Sequence, residues 1–187
     1  MYKLCKTEQS AQRQRQLEDG LLEAMLQQRY EDISISDLCD QLQVPRKSFY
    51  RYFASKDGAL HALIDHRLLE YEMMTNRDSD RGHLSLLLFY EFWYSQKNLL
   101  DALGRSELSN VLYERAMMVS RDSDMLEFNF YRAPRNLQDV AVSFVTSGLM
   151  TLVLQWHRDG FRETPREMAE MTRHLLSRPM VPDVSIF

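Results

Sequence analysis

The chain has 187 residues, 27% of them charged and 44% hydrophobic, with 11% aromatic side chains, 6 Gly and 5 Pro. That length and apolar share build a real core, and the composition excludes disordered, collagen-like and low-complexity classes. A formal net charge of -4 argues against a surface coated in basic residues. Cys5 and Cys39 make neither a CxxC metal pair nor a disulfide framework, which fits a reducing compartment. The opening MYKLCKTEQS has no signal-peptide stretch and no long unbroken apolar run follows, so a cytoplasmic protein with no membrane segment is expected.

Helical periodicity dominates, and the expected fold class is all-α. A first helix is predicted over Ser10 to Gln28, with Leu17, Gly20, Leu21, Ala24 and Met25 on one face. A short helix follows over Ile35 to Leu42, where Ser34 and Asp37 approximate a capping box. Pro45 suits the first position of a third helix running to Tyr52, and Ser55 suits the N-cap of a fourth reaching Asn76. Thr75 to Gly82 reads as a turn. Helices are then predicted over His83 to Gln96, Leu99 to Leu103 and Glu107 to Ser120, with a polar loop over Arg121 to Asn136.

Two strong helices end the chain. Leu137 to His157 carries apolar residues at three- and four-residue intervals from Leu137 to Trp156, and Gly160 closes it. Thr164, Pro165 and Glu167 then supply an N-cap, an N1 proline and a capping-box acid for a last helix ending near Leu176, and Arg178 to Phe187 reads as a loose tail.

Charge is unevenly distributed. Residues 1 to 56 hold nine Lys/Arg against eight Asp/Glu, whereas residues 57 to 187 hold fourteen against nineteen. Between Leu42 and Lys56 there are four cations, Arg46, Lys47, Arg51 and Lys56, and no acid. The two short helices joined by a tight turn make a helix-turn-helix candidate. On the second, Phe49, Tyr52 and Phe53 form an apolar stripe; at about 100° per residue this directs Lys47 and Arg51 away from the core, with Ser48 and Tyr50 on the flanks. Cations and hydroxyls on the free face of a short helix are what major-groove insertion needs. Lys56, a cation in a first helical turn, opposes the helix dipole and would suit a neighbouring phosphate.

Residues 33 to 60, ISISDLCDQLQVPRKSFYRYFASKDGAL, resemble the DNA-binding segment of the TetR/AcrR family of transcriptional regulators, most specifically in the run FYRYFASKD. Ser34 falls where that family has its helix-capping Thr. The resemblance implies that Arg46, Lys47, Ser48 and Tyr50 approach DNA from the recognition helix and that Lys56 clamps the backbone; with Ser34 and Arg51 they make up the expected DNA-binding residues. Arg29, Gln43 and Lys47 stand where the family favours glycine, and Leu60 comes one residue later than its usual leucine. The stretch GLMTLVLQWHRDGF, followed by ETPREMAEMTRHLL, is similar to the C-terminal dimerisation helices of the same family.

Glycine weakens a helix interior by roughly 1 kcal/mol relative to alanine, so Gly148 suggests a close contact. Ser143, Ser147 and Thr151 make a row of small residues, and the same helix is apolar on more than one side, so it is expected to pack both on its own domain and on a second copy. The expected dimer interface comprises Ser143, Ser147, Gly148, Thr151, Met168, Met171 and Leu175. The resemblance also implies an effector pocket for a small apolar or aromatic molecule, for which Trp93, Tyr113 and Met117 are the candidates. No GxGxxG, P-loop, HExxH or nucleophile elbow occurs, so no catalytic residue, metal or cofactor is expected.

The reading is therefore a DNA-binding unit over 1–55 and a sensing and dimerisation unit over 56–187. As a homodimer it would bind a pseudo-palindromic double-stranded operator, as a ligand-responsive repressor. The alternative is an interaction protein of the same fold that acts through a protein partner.

Overall fold

The computed structural model describes residues 2, 5, 7–77, 85–122 and 134–177. The expected turn at 75–82, the loop at 121–136 and the tail lie largely outside these residues. Among the described residues there are nine α-helices and no strand; Tyr2 and Phe53 form an isolated antiparallel bridge. The helices are α1 (Glu8–Gln27), α2 (Ile35–Gln41), α3 (Arg46–Tyr52), α4 (Lys56–Arg77), α5 (Leu86–Ser95), α6 (Lys97–Arg105), α7 (Ser109–Asp122), α8 (Arg135–Arg158) and α9 (Pro165–Ser177).

Caps set most of these boundaries. Thr7 opens α1, ahead of the expected start at Ser10, by accepting from the Ser10 N–H. Ser34 accepts from the Asp37 N–H at 3.0 Å while its hydroxyl donates to the Asp37 carboxylate at 2.6 Å. That carboxylate thus takes the hydroxyl proton instead of a backbone one. The box before α9 is fully reciprocal: the Thr164 N–H donates to Glu167, and the Glu167 N–H donates to the Thr164 hydroxyl. Pro45 is the N-cap of α3, one place earlier than its expected N1 position, because its ψ of 140° is extended.

The expected α1 face is buried as a unit, from Leu17 to Met25, against Leu38, Phe49, Tyr52, Phe53 and the start of α4. The aromatic stripe of α3 packs ring on ring, Phe49 and Phe53 having centroids 5.1 Å apart. α1, α2 and α3 with the first turns of α4 make one head. The body is built from α5 on α9, α7 on α8 and α4 on α7, and α1 lies along α6 where head meets body.

α8 differs from the expected arrangement. Val142, Thr146, Leu149, Met150, Val153 and Trp156 are buried, while Leu137, Val140 and Phe144, part of the apolar repeat that begins at Leu137, are 51%, 63% and 59% exposed. At about 100° per residue these sets lie on opposite sides of the helix. Residues 136–158 have the length and apolarity to cross a membrane, yet only 28% of their most apolar stretch is buried within the chain.

Candidate nucleic-acid interface

The turn between α2 and α3 is where the helix-turn-helix either forms or fails. Gln43 sits there with φ of 53°, the left-handed conformation that glycine adopts freely and other residues reach at a cost of about 1 kcal/mol or more. The Gln43 and Val44 N–H groups donate to the carbonyls of Asp40 and Cys39, closing the turn without a glycine. Arg29 needs no such freedom, because its φ of -68° is ordinary.

With the turn closed, Phe49 and Tyr52 anchor α3 in the core and its opposite side is free. Arg46, Lys47, Tyr50 and Arg51 are exposed together, and Ser48 is half-buried at the edge of this face. Tyr50, 56% exposed, rests edge-on against the Phe49 ring at 5.6 Å. Among the described residues, Arg46, Lys47 and Arg51 make no ion pair. Such a face presents charge for phosphates and forked or rotatable donors for base edges. Ser34 is exposed at the start of α2, but its hydroxyl is already committed to the cap.

Lys56 has partners that its position in sequence does not reveal. Its ammonium donates to the carbonyl oxygens of Tyr30 at 2.5 Å and Ile33 at 2.7 Å, and lies 4.3 Å from the centre of the Tyr30 ring. Burial lowers its pKa from the usual lysine value, against the pull of Asp57, Glu31 and Asp32. The charge is thus turned into the chain, bracing the short 3-10 turn Tyr30–Asp32, and is not held out toward a phosphate.

This head coincides with a known sequence pattern. Residues 19–63 match the family model for bacterial regulatory proteins of the tetR family, and residues 88–178 match that of a transcriptional regulator C-terminal region. The chain belongs to the TetR family. It is accordingly a DNA-binding transcriptional regulator of helix-turn-helix type. No curated protein matches it at a significant level.

In the body of this TetR-family chain the pocket candidates are only partly brought together. The Tyr113 hydroxyl lies 2.8 Å from Ser147 Oγ, which in turn lies 3.6 Å from Met117 Sδ, so α7 and α8 join Tyr113 to Met117. Trp93 is fully buried and makes its ring contacts with Phe89 and Phe92. Its indole N–H, the Tyr71 hydroxyl and the Thr146 hydroxyl are buried with no hydrogen-bond partner among the described residues. An open groove of about 490 Å³ lies elsewhere, between α1, α4 and α5, floored by Met73, Met74, Leu88 and Phe92 and edged by Arg15, Glu70 and Glu91. Sequence reasoning missed it because three separated helices supply its walls. Among the described residues, no three His, Cys, Asp or Glu side chains gather as metal ligands.

The expected dimer residues also divide. Gly148, Thr151, Met171 and Leu175 are exposed, Ser143 and Ser147 are half-buried, and Met168 is buried in the chain's own core. Ser147 faces α7 through Tyr113. Among the described residues, no other side chain or helix comes within 4 Å of a Cβ built on Gly148, so no contact among them explains that glycine.

Proposed function

We propose that this regulator is a homodimeric repressor, acting in the cytoplasm on a pseudo-palindromic operator and released by a small effector. The reading-head assignment rests on one observation: Arg46, Lys47, Tyr50 and Arg51 share the free face of α3 while Phe49 and Tyr52 hold its other side in the core. Arg46, Lys47 and Arg51 would contact guanine edges and phosphates, with Ser48, Tyr50 and Ser34 at the margins. The head would comprise residues 1–55 completed by the first turns of α4, with the remainder as sensor and dimeriser.

Dimerisation is supported by the second apolar face of α8. Leu137, Val140, Phe144, Gly148 and Thr151 fall within about one third of the helix circumference and lie opposite its buried face, and α9 adds exposed Met171 and Leu175. A helix apolar on two faces needs two partners, and a second copy supplies the missing one. Two heads related by a twofold axis then require two half-sites about one helical turn of DNA apart. For the effector, the candidates remain Trp93, Tyr113 and Met117, and the buried unpartnered Trp93 N–H favours a mainly apolar molecule that accepts a hydrogen bond.

The test is selection of bound fragments from a random duplex pool at moderate salt, repeated with Lys47→Ala and Tyr50→Phe. A recovered palindrome, bound less tightly by both variants while the dimer persists, supports the assignment. Binding that is only salt-sensitive and sequence-independent would favour the alternative, a protein of this fold that works through a protein partner.

A further inference from the structure

Tyr30 closes the link between α1 and α2, and every polar group it carries is held, two by the start of α4 and one by the end of α6. Its carbonyl accepts from Lys56 and its hydroxyl donates to Asp57 at 2.6 Å, both at the start of α4. Its backbone N–H donates to Ser106 Oγ at 2.9 Å, in a buried contact 76 residues away in sequence. Ser106 is the C-cap of α6 and is 6% exposed, and Tyr30 is 9% exposed, so no solvent replaces that bond if it is lost. From Tyr30 to Ser34 the chain has little freedom: Ile33 is buried, its carbonyl is taken by Lys56, and Ser34 begins the cap of α2.

α6 is held at a second point. Asp101, little more than one turn before Ser106, accepts from His157 of α8 at 2.7 Å. α6 therefore lies between head and body, tied to the helix carrying the second apolar face at Asp101 and to the entry of the helix-turn-helix at Ser106. We infer that Ser106 is a positioning residue for DNA reading: through α6, its hydroxyl fixes the angle at which the head stands relative to α8. This rests on the reading of the chain as a sequence-specific dimeric regulator. A shift of α6 reaches the link before α2 through this buried hydrogen bond, alongside the packing of α6 on α1, and in a dimer it changes the spacing of the two recognition helices.

The experiment uses the full-length protein and the duplex that the wild type retrieves from a random pool. In Ser106→Ala the Tyr30 amide should exchange its hydrogen about tenfold faster, and the ratio of specific to non-specific DNA affinity should fall about tenfold, the scale of one buried hydrogen bond lost. The salt slope should not change, because no phosphate contact is touched. Ser106→Thr, which keeps the hydroxyl, should restore both quantities. Faster exchange with an unaltered affinity ratio would reduce Ser106 to a stabilising contact and overturn the inference. So would a wild-type protein whose Tyr30 amide exchanges as fast as exposed ones, a result that does not depend on any variant folding. A wild type that retrieves no sequence at all fails in its own arm, and removes the regulator reading and this inference together.

Discussion

Gly20 of α1 and Leu42, the C-cap of α2, meet so closely that a Cβ placed on Gly20 would stand 2.5 Å from one Leu42 methyl carbon and 3.0 Å from its Cγ. A glycine in the middle of a 20-residue helix is unfavourable locally. Here it lets α2 approach α1, and α2 sets the turn from which α3 projects.

Gly20→Ala makes the two effects compete. Helix propensity gains roughly 1 kcal/mol, whereas forcing a methyl group into a filled site costs typically 1–3 kcal/mol. Because Leu42 Cγ as well as its methyls is too near, a rotation about the last bond does not clear the space, and a net loss of about 1 kcal/mol is expected. Thermal or urea unfolding reads it directly. A variant as stable as the wild type would mean that Leu42 swings aside freely.

Replacing Lys56 by Ala leaves the Tyr30 and Ile33 carbonyls without their donor. A charged hydrogen-bond donor removed from a partly buried site costs about 1–2 kcal/mol, so unfolding stability should fall by that amount. Binding should weaken through loss of the folded head, with the dependence on salt unaltered once folded fractions are equalised. A lysine resting on a phosphate would instead lower the salt slope by about one unit without touching stability. The two measurements on a single variant separate the roles.

Acid should loosen α6 from α8. Burial alone would raise the Asp101 carboxyl, but hydrogen bonds and charge from Lys97 and His157 outweigh it and hold the group below the usual 3.8. A carboxyl depressed on folding adds stability above its ordinary pKa, and that stability is lost as pH falls through the depressed value. Urea unfolding of the wild type and of Asp101→Asn should therefore differ near neutrality and converge below about pH 3.8. A constant gap down to strong acid would show that the charge of Asp101 contributes nothing.

What could be read from the chain alone divides along physical lines. Phe49, Tyr52 and Phe53 announce a buried stripe, and Thr164 with Glu167 announces a helix start, because spacing and local hydrogen bonding lie within a few consecutive residues. The acceptors of Lys56 are backbone carbonyls more than twenty residues away, and a carbonyl carries no sequence signature. The same holds for Tyr30 and Ser106, whose bond depends on how α6 lies along α1. On α8 the apolar residues were visible, but with nearly every side apolar the pattern could not say which one the chain covers itself. The described structure assigns that role to Val142, Leu149, Val153 and Trp156, leaving Leu137, Val140 and Phe144 outside.

Phe144 is the sharpest probe of that uncovered face. It is 59% exposed in a single chain, so Phe144→Glu removes little packing within one copy and should leave helical content and the core intact. If a second copy covers the face, the same change buries a carboxylate against apolar side chains, a cost of several kcal/mol that no partner on α8 offsets. Sedimentation should then show folded monomers, and affinity for the selected duplex should collapse toward the non-specific level because only one half-site is engaged at a time. Val142→Ala is the control on the opposite side. Val142 is 8% exposed, and its truncation should lower unfolding stability while leaving the dimer and its DNA selectivity in place. A Phe144→Glu protein that sediments like the wild type would move the interface off α8, and the surplus apolarity of that helix would then need a different partner.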